Sequence, residues 1–115
     1  MPAALHFDFV IWSQEAGRIP VGPITISFDE SLYQRIEIAT AITDSQLAFG
    51  GITTVDALVL KSSQAITLNI NSDSGTDITI DADKPIILTG TSITALYVSN
   101  SSGATAVIEY WIWGT

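Results

Sequence analysis

Ala106-Val107-Ile108-Glu109-Tyr110-Trp111-Ile112-Trp113 alternates strictly. Ala106, Ile108, Tyr110 and Ile112 hold one parity, and Val107, Glu109, Trp111 and Trp113 the other. Successive side chains of an extended strand point to opposite faces, so this stretch reads as a strand with one face in an apolar core. The same period of two recurs outward from it. Leu5, Phe7, Phe9 and Ile11 alternate with His6, Asp8, Val10 and Trp12. Ile24, Ile26 and Phe28 alternate with Thr25 and Ser27, Ile66, Leu68 and Ile70 with Thr67 and Asn69, and Ile78 and Ile80 with Asp77, Thr79 and Asp81. Repeated alternation of this kind marks antiparallel strands that bury one side.

The punctuation between these runs consists of turn residues. Gly17-Arg18-Ile19-Pro20 and Gly22-Pro23 separate the first run from the second, and Gly50-Gly51 breaks the middle of the chain. Asn71-Ser72-Asp73-Ser74-Gly75 reads as a hairpin loop. Asp83-Lys84-Pro85 and Gly90 bound a short strand from Ile86 to Leu88, and Asn100-Ser101-Ser102-Gly103 reads as the last hairpin turn. Between Leu32 and Ala41 the alternation outweighs the partial helical spacing of Leu32, Ile36 and Ala39, so a strand is expected. Thr43 to Ala48 has room for one helical turn. The predicted fold is all-β, an antiparallel β-sandwich or jelly roll of about 8–10 strands, in one domain over residues 1–115.

Composition supports that architecture and narrows the function. The chain of 115 residues is 47% hydrophobic but only 14% charged, against about 25% charged in ordinary soluble domains. Ser, Thr, Asn and Asp must therefore make up much of the solvent face. Scaling for this mass gives about 6,100 Å² of folded surface against about 17,800 Å² unfolded, enough burial for a core without metal or disulfide staples. Twelve acidic residues face four basic ones, Arg18, Arg35, Lys61 and Lys84, for a net charge of −8. Such a chain repels phosphate backbones and lacks a polybasic cluster for anionic lipid, so neither nucleic acid nor membrane is an expected partner. Met1 to Phe9 carries Asp8 and no basic segment, unlike a secretory leader. No apolar run approaches the ~18 residues of a membrane helix.

The inventory for chemistry is thin. With no cysteine and one histidine, His6, thiol chemistry, Cys-ligated zinc and a His-His metal site are all unavailable within one chain. His6 falls on the polar parity of its strand, and no Gly-x-Ser-x-Gly elbow accompanies it. No Walker loop or dinucleotide fingerprint occurs. Glu37, Asp56, Glu109 and the run Asp73, Asp77, Asp81 and Asp83 could supply paired carboxylates for glycosidic acid–base work, yet these are also ordinary solvated positions of strands and turns. Asn71, Asp73, Gly75 and Asp77 place oxygens at alternate positions of a loop, as calcium would require. They lack the closing Glu of an EF-hand, and they are equally the residues of a plain hairpin turn. The expectation is no enzyme, no catalytic residues and no cofactor.

The aromatic residues are more informative. With Ile108, Tyr110 and Ile112 in the core, Trp111 and Trp113 face outward, and Trp12 has the corresponding phase in the first run. Outward Trp signals an interface or a ligand platform. Subunit contact, docking on a larger surface and sugar stacking all fit this pattern. So does a last strand buried on both faces.

Asp56-Ala57-Leu58-Val59-Leu60-Lys61-Ser62-Ser63-Gln64-Ala65-Ile66-Thr67-Leu68-Asn69-Ile70-Asn71-Ser72 resembles small structural proteins of tailed bacteriophages. So does Lys84-Pro85-Ile86-Ile87-Leu88, followed by Ile93-Thr94-Ala95-Leu96-Tyr97-Val98-Ser99-Asn100-Ser101-Ser102-Gly103-Ala104-Thr105-Ala106-Val107. The likeness covers about residues 55 to 109 and consists of strand and turn pattern. Residues 1 to 30 and the closing Trp111-Ile112-Trp113 are not part of it. The resemblance implies a jelly-roll or β-sandwich virion protein without catalytic residues. Its leading version is a capsid decoration (cement) protein on the capsid exterior, a homotrimer bound between subunits of the major capsid protein. A tail or head-to-tail component is the nearest variant. A carbohydrate-binding module is the alternative of another class. Trp12, Trp111 and Trp113 are the expected interface anchors.

Overall fold

A computed structural model describes residues 3–14, 17–74 and 77–115, and within these the side chains at 3, 7–13, 19–24, 90 and 91 lie outside the description. Ten strands form among the described residues: β1 Ala3–Ser13, β2 Gly17–Phe28, β3 Glu30–Ile38, β4 Ile42–Gln46, β5 Val55–Ser62, β6 Ile66–Ile70, β7 Ile78–Ile80, β8 Ile86–Ile93, β9 Leu96–Asn100 and β10 Ala106–Gly114. Two four-stranded antiparallel sheets have the orders β3-β10-β5-β8 and β4-β9-β6-β7, and β1-β2 forms a two-stranded ribbon. Strands 3 to 10 alternate between the two sheets, except that β6 and β7 pair in one sheet. The fold is therefore an eight-stranded jelly roll with an N-terminal ribbon.

The core follows the alternation. β10 buries Ala106, Ile108, Tyr110 and Ile112, and β5 contributes Leu58 and Leu60. Leu68, Ile80, Leu96 and Val98 close the interior from the facing sheet. The buried Tyr110 hydroxyl donates to the Ala48 carbonyl at 2.6 Å, which gives the one polar end of this large side chain a partner.

Polar clamps hold the crossings between sheets. Asn100 is fully buried, and its amide donates to the carbonyls of Ile38 (2.9 Å) and Ala104 (2.8 Å). Its side-chain oxygen accepts from the Ser102 backbone N–H and hydroxyl. Asn71, at φ 64°, places its side-chain oxygen against the backbone N–H groups of Thr94 and Ala95, and its amide donates to the Ser92 carbonyl. It thereby ties the β6–β7 connection to the β8–β9 connection.

Several local expectations are corrected. Thr43 to Ala48 holds no helical turn, because Ile42–Gln46 pairs with β9 as a strand, with a register irregularity between Ile42 and Ser45. Gly90 does not end the strand begun at Ile86, which continues to Ile93. Asn100 to Gly103 is not a hairpin turn. β9 and β10 belong to different sheets, and Asn100 anchors the crossing between them. Gly17 to Pro23 lies inside β2 rather than between strands. β2 pairs only with β1, so an open edge accommodates the missing N–H groups of Pro20 and Pro23. The register slips by one residue there: Phe7 faces Ile24, whereas Phe9 faces Val21.

Two stability predictions follow from the buried polar groups. Asn100→Ala strands the Ile38 carbonyl in the interior and is expected to cost about 2–3 kcal/mol. The urea midpoint should drop with the slope unchanged. Burial pushes the Tyr110 phenol above its ordinary value. Its folded form holds the proton more tightly than the unfolded chain does. That contribution is intact below about pH 10 and fades as pH rises through the folded value. Urea midpoints against pH should be level up to that point and decline above it, and Tyr110→Phe should make the decline shallower.

Candidate interaction surface

The outward parity of β10 lies at the middle of its sheet. The register sets Trp111 opposite Tyr33 on β3 and Val59 on β5, and Val59 in turn opposite Ile87 on β8. Four side chains thus form one row across four strands, spanning about 14 Å at the ~4.8 Å strand spacing. Tyr33 and Ile87 are 48% and 45% exposed at the flanks, and Trp111 and Val59 are half-buried between them. Tyr33 and Trp111 pack ring to ring at 5.0 Å with a tilt of 39°. Such tilted aromatic pairs are attractive beyond their area.

One step along the strands lies a second row, Ser31, Trp113, Ala57 and Thr89. Trp113 is half-buried, and Ala57 is fully buried although its parity points away from the core. One step the other way, Arg35, Glu109 and Lys61 are adjacent in register, an alternation of charge that favours this strand pairing. Glu109 accepts the Tyr33 hydroxyl at 2.8 Å. That hydrogen bond fixes the phenol edge of the aromatic row to its charged border.

The sequence placed Trp111 and Trp113 on the outward parity of β10, and both lie there, half-buried, rather than in the core between the sheets. The side chain of Trp12 lies outside the described residues. The sequence reading did not single out Tyr33, Val59 and Ile87. Tyr33 carried a usable signal, since it alternates with Leu32 and Gln34. Ile87 sat in an unbroken Ile86-Ile87-Leu88 run that hides parity.

The other candidate groups do not converge. His6 is exposed on the ribbon, with its Nδ1 3.1 Å from the Thr25 hydroxyl oxygen. Among the described residues no three His, Asp or Glu side chains gather in a metal-ligating group. The Asn71 oxygen proposed for calcium is already occupied by the N–H groups of Thr94 and Ala95. Asp77 accepts from the buried Asn69 amide at 2.6 Å. Both contacts are structural. A cleft of about 340 Å³ opens between the edge strands β7 and β8, lined by Thr79, Ile80, Asp81 and Lys84 to Ile87. Its Asp81–Lys84 pair, at 3.7 Å, is largely exposed and adds little to stability.

No family model and no curated protein matches the sequence. Among solved structures, the chain is similar to the cupin domain of Cnp3 from Schizosaccharomyces pombe. That likeness has a TM-score of 0.50 at 11% identity and covers 97% of this chain and 84% of that one. It shows a shared jelly-roll-like architecture. A protein assigned to ethanolamine utilization as protein Q, from Salmonella typhimurium LT2, aligns over 96% of this chain and 97% of its own, with a TM-score of 0.46 and 7% identity.

The Tyr33–Glu109 hydrogen bond is the chief reason that the Tyr33 phenol titrates above its ordinary value; partial desolvation and the carboxylate charge add to it, and Arg35 opposes it. In an ultraviolet titration of tyrosinate, Glu109→Gln should return one tyrosine toward the ordinary value near 10. An unchanged titration would show that the two groups are not joined in solution.

Proposed function

We propose that this protein is a non-catalytic virion structural protein. On this reading it is a decoration (cement) protein of a tailed phage, a homotrimer on the capsid exterior that binds between subunits of the major capsid protein. The observation that carries the proposal is the open row Tyr33–Trp111–Val59–Ile87 on the outer face of a jelly-roll sheet. A Tyr–Trp pair continued by a half-buried Val59 and an exposed Ile87 offers the aromatic anchors that dominate assembly hot spots. The resemblance of residues 55 to 109 to phage structural proteins supplies the class of assembly. The low charge content leaves such a face little competing hydration, and a capsid lattice multiplies modest contacts through avidity. A tail or head-to-tail position is the nearest variant. The tilted Tyr33–Trp111 pair also favours a second reading, a platform for sugar stacking.

Cosedimentation with empty heads of the cognate phage tests the proposal. The wild-type chain should pellet with heads, and Trp111→Ala, which removes a hot-spot Trp from the surface through which copies assemble, should weaken that binding by at least about tenfold through lost avidity. Wild-type protein that stays in the supernatant but scores on a glycan array would overturn the virion reading in favour of sugar binding. Equal pelleting of Trp111→Ala would remove the aromatic row from the assembly surface.

A further inference from the structure

The β1–β2 ribbon is unusual for its length. Its strands span 11 and 12 residues, longer than any other in the fold, yet they pair only with each other. A two-stranded ribbon alone in water is marginal at best. Its sequence is that of a buried element. The register sets Leu5 opposite Ile26, Phe7 opposite Ile24 and Ile11 opposite Ile19. Where side chains are described, the two parities differ. Leu5, Ile26 and Phe28 are half-buried, whereas His6, Thr25 and Ser27 are exposed.

Its connection to the rest of the chain constrains where it can go. Asp29 alone separates β2 from β3, and its N–H donates to the Gly114 carbonyl at 2.9 Å. Laid end to end, the 21 residues of β2 and β3 would reach about 70 Å. The longest dimension of the molecule is 43 Å, so the chain bends sharply near Asp29. Within the chain, β2 approaches β10 and β5 of the body. The molecule is nonetheless more open than a compact chain of its length. The radius of gyration is 15.1 Å, against about 13.3 Å from size scaling. The accessible surface is 6664 Å², against about 6,100 Å².

We propose that the ribbon is an exchange arm. In the self-assembled protein it lies on the outer face of the β3-β10-β5-β8 sheet of a neighbouring copy, across Tyr33, Trp111, Val59 and Ile87. This deepens the trimer reading above and rests on it. The described apolar side chains of the ribbon, Leu5, Ile26 and Phe28, share the character of the row on the sheet, and a one-residue hinge can aim the arm at a neighbour at little cost, the ordinary route to domain exchange. A ribbon about 38 Å long and about 10 Å wide covers roughly 380 Å² per face. Each arm-on-face contact therefore buries about 760 Å² counting both surfaces, below the ~1,200 Å² of a standard single interface, and each copy makes two such contacts, one as giver and one as receiver, so a closed ring is favoured over an open pair. Arm on face is a heterologous contact, which closes into a ring when the rotation permits. A trimer is such a ring.

Complementation between two full-length variants tests this. Ile26→Asp damages the arm and leaves the face intact; Ile87→Asp damages the face and leaves the arm intact. Circular dichroism and thermal melts establish that each is folded, and Ile26→Ser and Ile87→Ser replace any that is not. By light scattering after size exclusion, wild type should be a trimer at tens of micromolar, and each variant alone should be a monomer. Mixed in equal amounts, they should form a dimer, because the intact arm of one fits the intact face of the other. A mixture that stays monomeric, or variants that remain trimeric, would overturn the arm and leave self-assembly through another surface standing. A monomeric wild type would overturn both the arm and the trimer. Head binding is assayed separately by cosedimentation of the wild-type protein, so a failure there counts against the virion reading and not against the arm.

Discussion

The register of β10 is the constraint on which the rest depends. This strand lies between β3 and β5, so its parity is read out on both sides of the sheet at once. Inward, Ile108, Tyr110 and Ile112 fill the space between the sheets. Outward, Trp111 sets the centre of the only face on which large aromatic and aliphatic groups align across four strands among the described residues. A one-residue slip would exchange the two sets, placing Trp111 and Glu109 in the core. Burying that carboxylate without a partner would cost far more than any gain from the indole. Core and surface are therefore specified by one decision, and the outer row cannot drift without the interior failing.

The jelly roll adds a second demand, because nearly every connection must leave one sheet and enter the other. A crossing cannot use the ladder of either sheet for its own backbone groups, and buried backbone groups need partners. Asn100 and Asn71 meet that demand with side-chain amides, each satisfying both donors and acceptors of the turn it spans. Asn tolerates the left-handed conformation that Asn71 adopts. Asn100 meets the demand from the buried interior and Asn71 from the surface, so polar turn residues that give this chain its Ser- and Asn-rich character also fasten the sandwich.

Much of the architecture was legible in the sequence because a period of two needs no tertiary context. The alternation in β10, β6 and β1 is enough to name strands, and the outward parity of Trp111 and Trp113 followed from it directly. Partners across the sheet were not legible. That Tyr33 and Ile87 flank Trp111 depends on strand order, which joins residues 33, 59, 87 and 111, and local pattern carries no information about such distant pairing. Three of the four corrections concern turn residues. Gly and Pro were read as chain breaks at Gly17 to Pro23 and at Gly90, but an edge strand tolerates both. Asn100 to Gly103 looked like a hairpin because a tight turn and an inter-sheet crossing use the same residues.

The ribbon and the aromatic row pose complementary problems in one chain. The apolar two-stranded element has no third strand and its described apolar side chains are only half-buried, while the aromatic row leaves Tyr33 and Ile87 exposed at its ends. Either could be solved by an unrelated partner, but a solution between copies of the same chain solves both with surfaces always present in equal number. It also affects how a capsid would be held. Within a ring, each exposed loop appears once per copy around a common axis, and contacts too weak to hold one chain act together on a lattice of matching symmetry. The net charge of −8 opposes close approach of copies at long range, yet such repulsion is screened beyond about 8 Å at physiological salt. Apolar contact at the arm acts at shorter range and dominates once the surfaces meet.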